Sequence, residues 1–172
     1  MILLEIVFQD IQFAFIFVFF IAIAWLLAEF KGMKDEFKER FGINNETIKL
    51  KLQAYERLSL FAERASLNNL VARTPFSNLT VIDFQTLLTE TLRNEYEYNI
   101  SQQIYVNTDM WQAIGNLKDQ NIYIINTIAA TLPSHINAVE LGKRILEYAS
   151  NNNAELSKIV LEAIQFEAKK LL

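Results

Sequence analysis

Between Asp10 and Glu29 the chain carries no charged residue. The run Ile11–Ala28 is apolar apart from Gln12 and includes Phe13, Phe15, Phe17, Phe19 and Phe20. As a helix, such a run spans ~27 Å, close to the ~30 Å of a bilayer hydrocarbon core. In lipid, a single segment can satisfy its own backbone polar groups only as a helix. The sequence therefore predicts a transmembrane helix, with Ile11, Phe13, Phe15, Phe17, Phe19, Phe20 and Ala28 in the bilayer and Trp25 in an aromatic belt at one boundary.

Two other readings compete. Ala22-Ile23-Ala24 resembles a signal-peptide cleavage site, but the chain has no Lys or Arg before Lys31, and a signal peptide needs a basic start. A buried core helix is normally amphipathic, and this run is apolar on every face. Orientation follows from the basic residues. Lys31, Lys34, Lys38 and Arg40 follow the run, and only Glu5 and Asp10 precede it. The positive-inside rule then puts the N-terminus outside and the rest in the cytosol.

The composition removes whole classes of chemistry. The 172 residues include no Cys, one His and four Gly. Without Cys there is no disulfide framework and no thiolate zinc site or thiol nucleophile. One His cannot build a multi-histidine metal centre or a di-iron bundle. Four scattered glycines make no phosphate-binding loop. No cofactor, metal or catalytic residue is expected, and the chain does not read as an enzyme. Of the net charge of −4, the part after residue 30 carries only −1, which argues against nucleic acid as a partner.

After residue 30 the pattern is helical, so the expected fold is all-α. A transmembrane anchor with its juxtamembrane helix (1–40) precedes a cytosolic domain of about five helices (41–172). The juxtamembrane segment should break at Gly42 and Asn44-Asn45. A long helix should run from about Glu46 to Arg73, burying Tyr55, Leu58, Ala62, Ala65 and Leu70 and, on a second side, Leu60, Phe61, Leu67 and Val71. Thr80 and Asp83 form a capping pair that opens a helix to about Val106. Asn107 or Thr108 caps the next helix, which ends before Pro133. Ser134 should cap a helix to Ala149, with Val139, Leu141, Ile145 and Leu146 inward. Asn151-Asn152-Asn153 reads as a turn, and the last helix as Ala154 to Leu172.

One helix face is unusual. The stripe Phe84, Leu88, Leu92 is continued at helical spacing by Glu95, Asn99, Gln102 and Gln103. Such a face is either a helix end emerging into solvent or a specific polar contact made with Tyr96, Tyr98 and Tyr105. A buried version needs every polar group satisfied. Glu90, Arg93, Glu95 and Glu97 also fit a solvated, charge-paired surface. His135 follows Pro133-Ser134 with no acidic neighbour in sequence and reads as an exposed turn residue.

The stretches KLQAYERL (51–58), FAER (61–64), NNL (68–70) and LRNEYEYNISQQIYV (92–106), followed by Trp111, resemble a family of small single-pass membrane proteins of Bacteroidota-type bacteria. The resemblance covers nearly the whole chain. It implies a bacterial inner-membrane protein with a cytosolic helical domain, and it carries no activity to transfer. The expected function is a membrane-anchored interaction or scaffold protein, either a subunit of an inner-membrane complex or a homo-oligomer. Its partners would be the lipid bilayer and other proteins or copies of itself. The candidate interaction surface is Glu95, Asn99, Gln102, Gln103, Tyr105 and Trp111. The alternative is a small-molecule sensor or enzyme using a polar pocket around Glu95.

Overall fold

The computed structural model describes residues 2–151 and 156–172, without the side chains of 2–17, 39, 40, 43 and 44. Among the described residues the elements are all helices: α1 (Ile2–Ala65), α2 (Leu67–Arg73), α3 (Val81–Tyr98), a 3-10 helix (Ile100–Ile104), α4 (Thr108–Ala129), α5 (Val139–Asn151) and α6 (Leu156–Lys169). The expected all-α class is what these residues form. The chain divides into two compact units, Met1–Thr47 and Ile48–Leu172.

In the first unit the expected break at Gly42 and Asn44-Asn45 does not occur, and α1 continues through those positions. A lone glycine in a helix costs about 1 kcal/mol relative to Ala, too little by itself to end a long helix. Among the described residues no helix is long and apolar enough to cross a membrane. The run 11–28 lies only partly among them, because the side chains of Ile11, Phe13, Phe15 and Phe17 are outside. Arg40, Asn152, Asn153 and Ala154 are outside as well.

The second unit is built on apolar faces at helical spacing. In α1, Ala54, Tyr55, Leu58, Phe61, Ala62 and Ala65 are buried, which is one face of a 3.6-residue helix. Leu60, expected inside, is 57% exposed. It lies between Leu58 and Phe61 in sequence but points away from their face. The expected continuous helix to Arg73 is interrupted at Ser66. That residue is extended, and its Oγ accepts from Asn69 N at 3.3 Å, starting α2 as an N-cap.

α3 begins as expected, with the Thr80–Asp83 capping box closed in both directions. It ends at Tyr98, well before Val106, and the chain tightens into the 3-10 helix. Asn107 caps α4, accepting from Met110 N at 2.7 Å. Ser134 does not cap α5. The segment around it pairs with the start of α3 instead: Val81 N donates to Ile136 O and Ala138 N to Leu79 O, each at 2.9 Å, and Ile82 N to Ser134 O at 3.2 Å. Asn137 then accepts from Val139 N at 2.8 Å as α5 starts. Leu141 and Ile145 are buried as expected, with Gly142 and Ala149, whereas Val139 and Leu146, expected inward, are exposed.

α3 packs against both α4 and α5, α4 also against α6, and α2 against α5. The core runs through Leu58, Phe61, Leu70, Phe84, Leu88, Leu92, Ile114, Leu117, Ile125, Leu141, Ile145 and Ile164, all fully buried. Asn121 is a buried polar residue within it. Its Nδ2 donates to Ala65 O at 2.7 Å, satisfying a carbonyl left open where α1 ends.

Candidate functional site

The C-terminal turns of α1 and the second half of α3 flank an open groove of about 470 Å³, lined by Arg57, Leu60, Phe61, Arg64, Thr91, Asn94, Glu95, Tyr98 and Asn99. Each element reaches it for a local reason. On α1, Arg57 and Arg64 are two helical turns apart and share a face. Phe61 turns into the core, while Leu60 stays at the surface. On α3, Glu95 follows Leu92 at the three-residue spacing that carries the core stripe toward α1.

Glu95 is the hub of the groove floor. Its Oε1 accepts from Arg64 Nε at 2.9 Å and Nη2 at 2.6 Å, and Arg73 Nη1 lies 3.3 Å away. Burial holds the Arg73 guanidinium below its usual pKa; Glu95 raises it back and Arg64 lowers it. The Glu95 side chain is 19% exposed. The expectation that it sits on a solvated, mixed-charge surface is therefore corrected. Glu90, Arg93 and Glu97, by contrast, are exposed. A carboxylate oxygen shared by two guanidiniums is committed as an acceptor, which suits an ion-pair anchor better than a general acid or base.

One turn further, Asn99 is buried and its Nδ2 donates to Glu95 O at 2.8 Å. Gln102, in the 3-10 helix, is also buried and donates to Ser101 Oγ at 3.0 Å. Gln103 is exposed, and Tyr105 and Trp111 are half-buried. The polar continuation of the α3 stripe thus divides: Glu95, Asn99 and Gln102 face inward with partners, and Gln103 faces outward. Trp111 stacks on Tyr96 with ring centres 4.9 Å apart, Phe61 meets the same ring edge-on at 6.3 Å, and Lys118 Nζ lies 4.4 Å above it. Trp111 is accordingly a packing residue of the α3–α4 contact. Only Glu95 and Asn99 of the expected surface line the groove.

The open rim brings Tyr98, which the sequence associated with the polar end of α3, together with Arg57 of α1. Tyr98 is 76% exposed, with the Arg57 guanidinium 4.9 Å from its ring centre. Arg57 Nη2 also donates to Tyr98 O at 3.2 Å. This arrangement combines an apolar edge, an aromatic face and arginine donors, the residue types enriched where proteins meet. The available signal was the i, i+7 spacing of Arg57 and Arg64 around Leu60-Phe61. Reading it required knowing that α3 lies opposite.

Among the described residues no group of His, Asp and Glu side chains could hold a metal ion. His135 is exposed in the segment before α5. No curated protein and no solved structure matches the chain. A family model does, over residues 1–171. The chain therefore belongs to the family of unknown function DUF7935.

Proposed function

We propose that this protein is a membrane-anchored interaction protein of the bacterial inner membrane. The helix over residues 11–28 holds it in the bilayer with the N-terminus outside. The helical unit on the cytosolic side presents the α1–α3 groove to a protein partner. The observation that carries the binding role is the pairing of exposed Leu60 and Tyr98 with Arg57 and Arg64 along one groove. Support for the anchor is the uncharged run and the basic residues that follow it.

The test is affinity purification of the full chain in mild detergent, followed by mass spectrometry. Tyr98→Ala and Arg57→Ala should lose proteins that co-purify with the wild type, as should Glu95→Ala. Gln103→Ala probes the outward side of the 3-10 helix and should leave them bound. Unchanged partners and assembly size in all four variants remove the groove from the interface. Release of the wild type from membranes by carbonate removes the anchor.

A further inference from the structure

Within the first unit, one face of α1 continues the apolar run past its end. Phe19, Ile23, Leu26, Phe30, Met33 and Phe37 follow one another at alternating spacings of four and three. This is the a/d repeat of a coiled-coil seam. Every one of them is between 38% and 65% exposed. Lys31, Asp35 and Lys38 fall at the outward b and f positions. Phe41 flanks the seam beside Phe37, their ring centres 4.9 Å apart.

Lipid can cover the first half of this stripe, but Phe37 lies about 14 Å along the helix beyond Ala28, past the first charged residues. An apolar stripe there needs another cover. The register supplies one. With Phe30 at a, Glu29 stands at g and Lys34 at the e position of the following heptad. Across two parallel, in-register helices these positions face each other, so each copy's Glu29 meets the other copy's Lys34, making two symmetric opposite-charge contacts. Parallel alignment is also what two copies anchored by the same N-terminal segment are bound to have. The small residues Ala24, Ala28 and Gly32 recur every four positions but fall at b, f and c, off the seam, so side-chain interdigitation rather than close backbone approach would hold it.

We infer that the segment from Phe19 to Phe37 is the interface of a parallel, in-register homodimer, with reciprocal Glu29–Lys34 contacts setting its register. The inference rests on the membrane-anchored reading for its parallel sense and goes beyond it in naming the occupant of this face as a second copy of the chain.

The absence of cysteine makes the test direct. Single-cysteine full chains carrying Phe30→Cys, Met33→Cys, Phe37→Cys, Lys31→Cys or Asp35→Cys are oxidised in native membranes with copper-phenanthroline. Same-residue disulfides should form at 30, 33 and 37 in at least about tenfold higher yield than at 31 and 35. In the Phe30→Cys background, Lys34→Glu should reduce the yield by about fivefold, and Glu29→Lys combined with Lys34→Glu should restore it. Equal yields at all five positions overturn the inference. So does a Phe37→Cys chain whose thiol is shielded from water-soluble maleimide without any disulfide dimer, which would assign the stripe to the bilayer surface. Carbonate extraction of the same membranes reads the anchor separately. A retained chain lacking the periodic cross-links overturns the dimer alone, and a released chain that still cross-links overturns the anchor alone.

Discussion

Arg64 grips a single oxygen of Glu95 with two nitrogens, Nε at 2.9 Å and Nη2 at 2.6 Å, and so ties the last turn of α1 to the last turn of α3. Arg73 of α2 completes the cluster on the same oxygen at 3.3 Å. Three helices meet on one carboxylate, and the groove wall depends on it.

Removing the carboxylate should cost more than removing the outer arginine. Arg64 is 52% exposed, whereas Arg73 is 28% exposed and partly desolvated. Glu95→Ala leaves Arg73 without its counter-charge and should destabilise by about 1–2 kcal/mol. Arg64→Ala should cost less than about 1 kcal/mol, because solvent screens that pair. Urea unfolding of the detergent-solubilised chain, followed by circular dichroism, measures both. Equal losses would contradict the inward placement of Glu95.

Asn121→Ala should destabilise by about 1–3 kcal/mol, since it deprives the buried Ala65 carbonyl of its donor. Asn121→Asp should be at least as damaging, for it presents a carboxylate oxygen to a carbonyl oxygen. The same unfolding experiment decides the matter, and a neutral Asn121→Ala would show that the α1 terminus has another donor.

Two glycines on neighbouring helices should respond in opposite directions. At Gly115 an added Cβ meets only Tyr96 Oη, at 3.8 Å. Gly115→Ala should stabilise by about 0.5–1 kcal/mol through helix propensity. At Gly142 an added Cβ lies 3.2 Å from Phe76 Cζ, and that ring is itself stacked on Phe84 at 4.5 Å. Gly142→Ala should therefore lose its propensity gain to overpacking, and Gly142→Leu should cost about 3 kcal/mol. Thermal melts of the three variants test the contrast.

Tyr55 should make the fold sensitive to alkali. Burial, and then the nearby Glu167, raise its phenol pKa above the ordinary 10.0. The unfolded chain thus gives up the proton at a lower pH than the folded one. Below pH 10.0 this contribution is constant; above it, stability falls as pH rises toward the folded pKa. Tyr55→Phe should flatten that loss, and Glu167→Gln should reduce it slightly. Denaturant midpoints measured on either side of the transition provide the check, and an unaltered alkaline slope in Tyr55→Phe refutes the assignment.

The helical class, the Thr80–Asp83 capping box and the Asn107 cap were all legible in the sequence. These depend on neighbours within a turn or two, so spacing and cap chemistry are enough to specify them. The break at Ser66 was missed because the apolar spacing runs on across it, and only the fit of α2 on α5 makes a turn there worthwhile. The late start of α5 was missed because the backbone of residues 134–138 is engaged by residues 79–82, a pairing that no local pattern encodes.

The candidate site shows the same division. The sequence by itself marked Glu95 and Asn99 as misplaced polar residues on an apolar stripe, and it marked the uncharged run before Lys31. It could not say that Glu95 faces Arg64 and Arg73, 31 and 22 positions back along the chain, or that Arg57 would lie over Tyr98. Those neighbours come from helices whose own periodicity places them at the surface. Only their packing, which fixes distances between residues far apart in the chain, turned surface arginines into the wall of a groove and a polar residue on an apolar stripe into the anchor beneath it.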